Sequence, residues 1–137
     1  MTLWIWFGFS GRLGRAKFWL VSATGLVLLL ATMGPMMAQG TTVTFAVFGL
    51  GLIVILPMMI GAGIRRLHDR DRTGAWALLF YGTPTVIAAI GGQSGNRTVL
   101  GVLSLICVVL QIWGLVWLGA LRGTPGPNRF GPDPVKE

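Results

Sequence analysis

Four apolar stretches, at 18–38, 43–64, 75–90 and 98–121, divide the chain, with glycine, proline or charge between them. A helix rises about 1.5 Å per residue and the hydrocarbon of a bilayer is about 30 Å thick, so roughly 20 apolar residues suffice to cross it. The first, second and fourth stretches reach that length. The third is shorter and holds Gly82-Thr83-Pro84, so it spans only if it stays nearly upright and borrows Gly74 and Gly91 at its ends. A broken or re-entrant helix is its alternative. The uncharged link 38–42 is short enough to turn the second run back along the first. The pattern predicts an all-α integral membrane protein, four transmembrane helices in an antiparallel bundle.

Within this frame a few positions stand out. Pro57 falls inside the second run, where it removes a backbone hydrogen bond and is expected to kink the helix. Gly61-Ala62-Gly63 then thins the helix enough for another backbone to approach. No small-residue cleavage site closes 18–38, and the run exceeds a signal-peptide core, so it is expected to be retained. Segment 1–17 opens with Trp4, Trp6, Phe7 and Phe9, a composition suited to the membrane interface, where an indole keeps its ring apolar and its N–H hydrated. Segment 122–137 carries Pro125, Pro127, Pro132 and Pro134, which bar it from a helix or a core, although Asn128 and Phe130 are expected to hold it against the protein.

Charge changes the picture from spans to orientation. Only 11% of the 137 residues are charged, against 53% hydrophobic, and six charges fall in the eight positions from Arg65 to Arg72. Four spans would put Arg12, Arg15, Lys17, Arg65, Arg66, Arg70, Arg72, Arg122, Arg129 and Lys136 on one side and Arg97 alone on the other. Ten against one is a strong positive-inside bias, so both termini and the basic loop 65–74 are expected to be cytoplasmic, N-in and C-in. The net charge of +7 is then mainly topological and argues against nucleic acid as partner. The lone Cys107 sits in an apolar run, and with one histidine it offers too few ligands for a metal or haem site, so no cofactor is expected.

Three separate stretches resemble one family. Gly11-Arg12-Leu13-Gly14-Arg15-Ala16-Lys17-Phe18-Trp19, Arg66-Leu67-His68-Asp69-Arg70-Asp71-Arg72-Thr73-Gly74-Ala75-Trp76 and the tail from Gly123 to Pro134 are similar to motifs of the bacterial membrane proteins grouped as domain of unknown function 805. Thr73 stands where serine is usual there, and Ala75 where the first of two tryptophans is usual. The resemblance implies a small multi-pass protein of the bacterial inner membrane with no assigned activity.

All three motifs are expected on one face, which makes Arg12, Arg15, Arg65, Arg66, His68, Asp69, Arg72, Thr73, Trp76 and Asn128 the candidate site. Arginine presents a planar fork suited to phosphate and carboxylate. Asp69 is expected to pair with Arg12 or Arg15, Asp71 with another arginine, and the Thr73 hydroxyl to cap the third helix. Three functions compete. The first is a latch that also binds an anionic headgroup or phosphorylated ligand, with the bilayer and its anionic lipid as partners; a homo-oligomer or another membrane protein stays open. The second is an oligomeric transporter or channel, supported by Pro57, Pro84 and Gln111 but lacking intramembrane acids. The third is an enzyme using His68 and Asp69, which lacks a nucleophile at recognisable spacing; the chain is therefore expected not to be an enzyme.

Overall fold

A computed structural model describes residues 2–93 and 95–134. It is helical, in the order α1 (Thr2–Phe7), α2 (Arg15–Gln39), α3 (Thr42–Asp69), a 3-10 turn (Gly74–Trp76), a π turn (Leu78–Gly82), α4 (Thr83–Gln93), α5 (Arg97–Leu115) and a second π turn (Val116–Ala120). Four helical units, Arg15–Gln39, Thr42–Asp69, Gly74–Gln93 and Arg97–Ala120, are long and apolar enough to cross a membrane. Only 6 to 24% of their most apolar windows is buried within the protein, so the outward faces are hydrocarbon that bilayer, not protein, would cover.

The helix ends follow local chemistry. Gly40, at φ 59°, closes α2 in the left-handed conformation and donates its N–H to the Met36 carbonyl at 2.9 Å. Thr41 then opens α3 with a reciprocal cap, its hydroxyl accepting from the Thr44 N–H while the Thr44 hydroxyl accepts from the Thr41 N–H at 3.0 Å. Asn96 caps α5 by accepting from the Thr98 N–H at 2.9 Å. Helix α3 continues through Pro57 in one piece to Asp69.

Two expectations change here. The basic loop 65–74 is largely helix, because Arg65, Arg66, Leu67 and Asp69 are buried and continue α3; the turn proper is 70–73. The third unit is divided, as the proline predicted, but by widening rather than by a break. Pro84 has no N–H for the carbonyl four residues back, and a π turn precedes it, with the Thr83 N–H reaching back to the Leu78 carbonyl.

Helices α2 and α3 lie side by side, with Gly25 against Met58 and Met59, and Gly51 against Thr32. The buried core lies towards the charged end, where Leu13, Phe18 and Val21 meet Met58, Ala62, Leu67, Phe80 and Leu118. That core is a floor on which the polar cluster stands.

Candidate functional site

Asp69, the last residue of α3, is 2% exposed and holds two arginines. Arg12 donates through Nε to Oδ1 at 3.0 Å and pairs through Nη2 at 2.9 Å; Arg66 donates through Nη1 to Oδ2. A carboxylate buried this deeply needs such partners, since an isolated buried charge is costly. The sequence pointed Asp69 at Arg12 or Arg15, and the structure selects Arg12 and adds Arg66. Arg66 was visible in the sequence three positions away, on the same helix face as Asp69.

The remaining donors of these arginines go to main-chain carbonyls. Arg12 donates to Gly126 at 2.5 Å and Thr124 at 2.6 Å, pinning the tail. Arg66 donates through Nε to the Leu118 carbonyl at 2.6 Å and through Nη2 to that of Leu121. Helices leave their last carbonyls without partners, and the accumulated dipole makes that end negative. Five consecutive carbonyls at the close of the last helical unit are met by side chains: Trp117 by Arg70 at 2.6 Å, Leu118 and Leu121 by Arg66, Gly119 by the Trp19 indole at 3.1 Å, and Ala120 by Arg15 at 3.3 Å.

Arg65 faces elsewhere, as neighbours about 100° apart on a helix must. Fully buried, it donates to the carbonyls of Trp4 at 2.9 Å and Ile5 at 2.5 Å and lies 4.9 Å from the Trp4 ring, fastening α1 to α3. The approach of the 61–63 small-residue step to another backbone is as expected: a Cβ on Gly61 would lie 2.7 Å from the Gly8 carbonyl oxygen.

The tail is tied down at several points. The Asp69 carbonyl accepts from the Thr124 N–H at 2.8 Å and its hydroxyl at 3.1 Å, and the Asn128 amide donates to the His68 carbonyl at 2.9 Å. The Phe130 ring stacks on His68 with centroids 4.0 Å apart and planes 4° from parallel. Asn128 also accepts from the Phe130 N–H at 2.9 Å in an Asx turn. The anchoring expected of Asn128 and Phe130 is present, whereas Lys136 lies outside the described residues.

Other candidates stand apart from the Asp69 centre. Asp71 pairs with Arg129 at 3.1 Å in an exposed bridge, a partner drawn from the tail. Arg72 is exposed and lies 5.9 Å from the Trp76 ring. The expected Thr73 cap is absent: its side chain makes no cap hydrogen bond, and its carbonyl accepts the Trp76 N–H at 3.2 Å to close a 3-10 turn instead. His68 accepts no role from Asp69, since its Nδ1 meets the Gly11 carbonyl at 3.1 Å and Asp69 is occupied by arginines. Burial, with the Arg72 charge behind it, pulls the Arg70 guanidinium below its usual pKa, and Asp69 partly opposes this.

Beside this centre lies a cleft of about 340 Å³ lined by Arg12, Arg15, Arg66 and Arg122, with Asp69, Thr124 and Asp133 on its walls. Sequence reasoning placed Arg122, Gly123 and Trp19 on this side of the protein but did not count them among the site residues. Gly123 packs so closely on Asp69 that an added Cβ would overlap its carboxylate, a constraint no local pattern reveals.

An all-helical chain with four membrane-length apolar helices and one arginine-rich end defines a class, the small multi-pass membrane protein. The chain belongs to a family described as protein of unknown function DUF805, whose model matches residues 6–132. It is 33% identical to the inner membrane protein YhaH of Escherichia coli K12 over 95% of this chain and 89% of that one. It is 32% identical to the uncharacterized protein YiiR of the same strain, over 97% of this chain and 90% of the relative, and 32% identical to the inner membrane protein YhaI, over 93% and 86%. No solved structure matches.

Proposed function

We propose that this is a four-span inner-membrane protein with antiparallel helices and both termini in the cytoplasm, whose arginine-rich end is a latch that also receives an anionic headgroup or a phosphorylated ligand. The observation that carries the latch is the division of labour around Asp69. One buried carboxylate gathers Arg12 and Arg66, and their other donors hold the tail and the end of the last span. Arginines engaged on every side in this way are poor free ligands. Anion binding therefore falls to the cleft, where the exposed Arg15 and Arg122 add their charges to those of Arg12 and Arg66. The ten-to-one distribution of basic residues supports the orientation. A cysteine placed at Gly126 should react with a membrane-impermeant maleimide only in inverted vesicles, and one at Gly95 only in right-side-out cells; the reverse pattern rejects this topology.

The same reading gives His68 a structural role and no catalytic one, since its ring stacks on Phe130 and its Nδ1 meets a carbonyl. Native mass spectrometry of the protein released from its own membranes tests the ligand. The wild type should retain phospholipid phosphate or a free phosphorylated molecule, and the two have different masses. The Arg15→Ala/Arg122→Ala variant should retain about tenfold less, as expected for losing one or two charge-assisted hydrogen bonds. Retention of neutral lipid alone, or equal retention by the variant, rejects the anion site.

A further inference from the structure

A second cavity, of about 320 Å³, opens at membrane depth between α2, α3 and the third and fourth helical units. Its walls are Phe18, Met59, Phe80, Pro84 and Leu115 together with four polar side chains, those of Ser22, Tyr81, Thr85 and Gln111. Ser22 is seven residues from the start of its unit, Tyr81 seven and Thr85 eleven from the start of theirs, and Gln111 nine from the end of its own. At 1.5 Å per residue all four lie about 10 to 16 Å below the charged end. Polar groups from three helical units therefore converge at one level of the hydrocarbon.

Bonding separates three of the four, Ser22, Tyr81 and Gln111, from Thr85 and from other threonines of the spans. Thr24, Thr32 and Thr85 satisfy themselves by donating to a carbonyl of their own helix. Among the described residues, the Ser22 and Tyr81 hydroxyls and the Gln111 amide make no hydrogen bond within the chain. Water does not reach them freely at this depth, and hydrocarbon offers no partner. The π turn Leu78–Gly82 carries Phe80 and Tyr81 into this wall, and such widened turns recur at functional sites. Among the described residues, no charged side chain lines the cavity, so an ionised ligand would have no counter-charge.

We infer that this cavity binds a neutral amphiphile whose carbonyl or hydroxyl head meets Ser22, Tyr81 and Gln111 and whose single apolar chain runs out past Pro84 into the bilayer. The Tyr81 hydroxyl and Gln111 amide can each donate to a carbonyl oxygen, and the Gln111 carbonyl and Ser22 hydroxyl can accept from an alcohol. Phe18 and Phe80 supply flat apolar surface for the first carbons of the chain. The volume falls in the range of small-molecule sites and holds the head and a few carbons, not a whole diacyl lipid.

The test is photolabelling of the full-length protein in nanodiscs of neutral phospholipid, using hexadecanol that carries a diazirine near the hydroxyl and a terminal alkyne. Label should fall on peptides containing Tyr81 or Gln111. Excess hexadecanol and excess hexadecanal should both compete, the alcohol and carbonyl arms of the same chemistry; hexadecane and hexadecyl sulfate should not. Gln111→Leu should lower labelling about tenfold, the loss of one well-made hydrogen bond, with the thermal unfolding midpoint retained. A Ser22→Ala variant provides a second, smaller change should the first alter folding. Competition by hexadecane as strong as by hexadecanol would make the cavity an ordinary lipid-facing groove and overturn the inference, as would full labelling of folded Gln111→Leu.

Discussion

Replacement of Asp69 by alanine is expected to destabilise the folded protein by about 3–5 kcal/mol, the cost of leaving buried arginines without their counter-charge. Arg66 is fully buried and Arg12 nearly so, and neither can turn to water without breaking its bonds to Thr124, Gly126, Leu118 or Leu121. Loss of one carboxylate therefore loosens Arg12 and Arg66 and, through them, the tail and the close of the last helical unit, while Arg65 still holds α1 to α3. Asp69→Asn keeps the shape and one acceptor oxygen but removes the charge, so its loss should be smaller. Unfolding by denaturing detergent in mixed micelles reads both. The accompanying sign is early proteolysis of the tail near Thr124 in Asp69→Ala, because the Thr124 and Gly126 carbonyls lose an oriented Arg12.

Gly123→Ala should cost about 3 kcal/mol for one added methyl group, far more than a tail residue ordinarily would. The new Cβ would overlap the Asp69 carboxylate and approach the Asp69 carbonyl oxygen at 2.9 Å. Either the tail lifts or Asp69 shifts off its arginines, and both outcomes open the latch. Gly101→Ala is the matched control, since nothing lies within 4 Å of the added atom and alanine favours helix. It should be neutral or slightly stabilising in the same detergent titration. Equal behaviour of the two variants would mean that the tail does not pack on Asp69.

The two variants show which parts of the molecule local sequence could reveal. Spans were legible because hydrocarbon imposes a length and a composition, and the structure moves the ends of each predicted stretch only by a few residues. Asp69 was legible as a paired group because an acid among arginines at a membrane end has no other comfortable state. The partners of Arg65 were not legible. They are main-chain carbonyls of Trp4 and Ile5, which carry no side-chain signature, and the short helix α1 that presents them had been read only as aromatic interface.

The Thr73 cap failed for a related reason. Threonine before Gly-Ala-Trp suits an N-cap, but the unit it opens begins as a 3-10 turn, whose closure uses the Thr73 carbonyl and leaves the hydroxyl out. Reading 65–74 as loop rested on charge density alone. Burial of Arg65, Arg66 and Asp69 within α3 shows that a dense run of charge does not end the helix. Gly123 belongs to the same group of hidden features, because its constraint comes from a residue 54 positions earlier, by the difference between 123 and 69.

The latch itself is tested most directly by a double-mutant cycle between Arg12 and Asp69 in the full-length protein. Arg12→Leu, Asp69→Leu and the double variant are unfolded under one set of conditions, so that the coupling is isolated from the cost of each replacement alone. A buried pair at 2.9 Å that joins the N-terminal segment to the end of α3 predicts a coupling of at least about 1.5 kcal/mol, the double variant being far less damaged than the two singles summed. Additivity within about 0.5 kcal/mol would contradict it, and the charged end would then be a set of independent helix termini without a common latch.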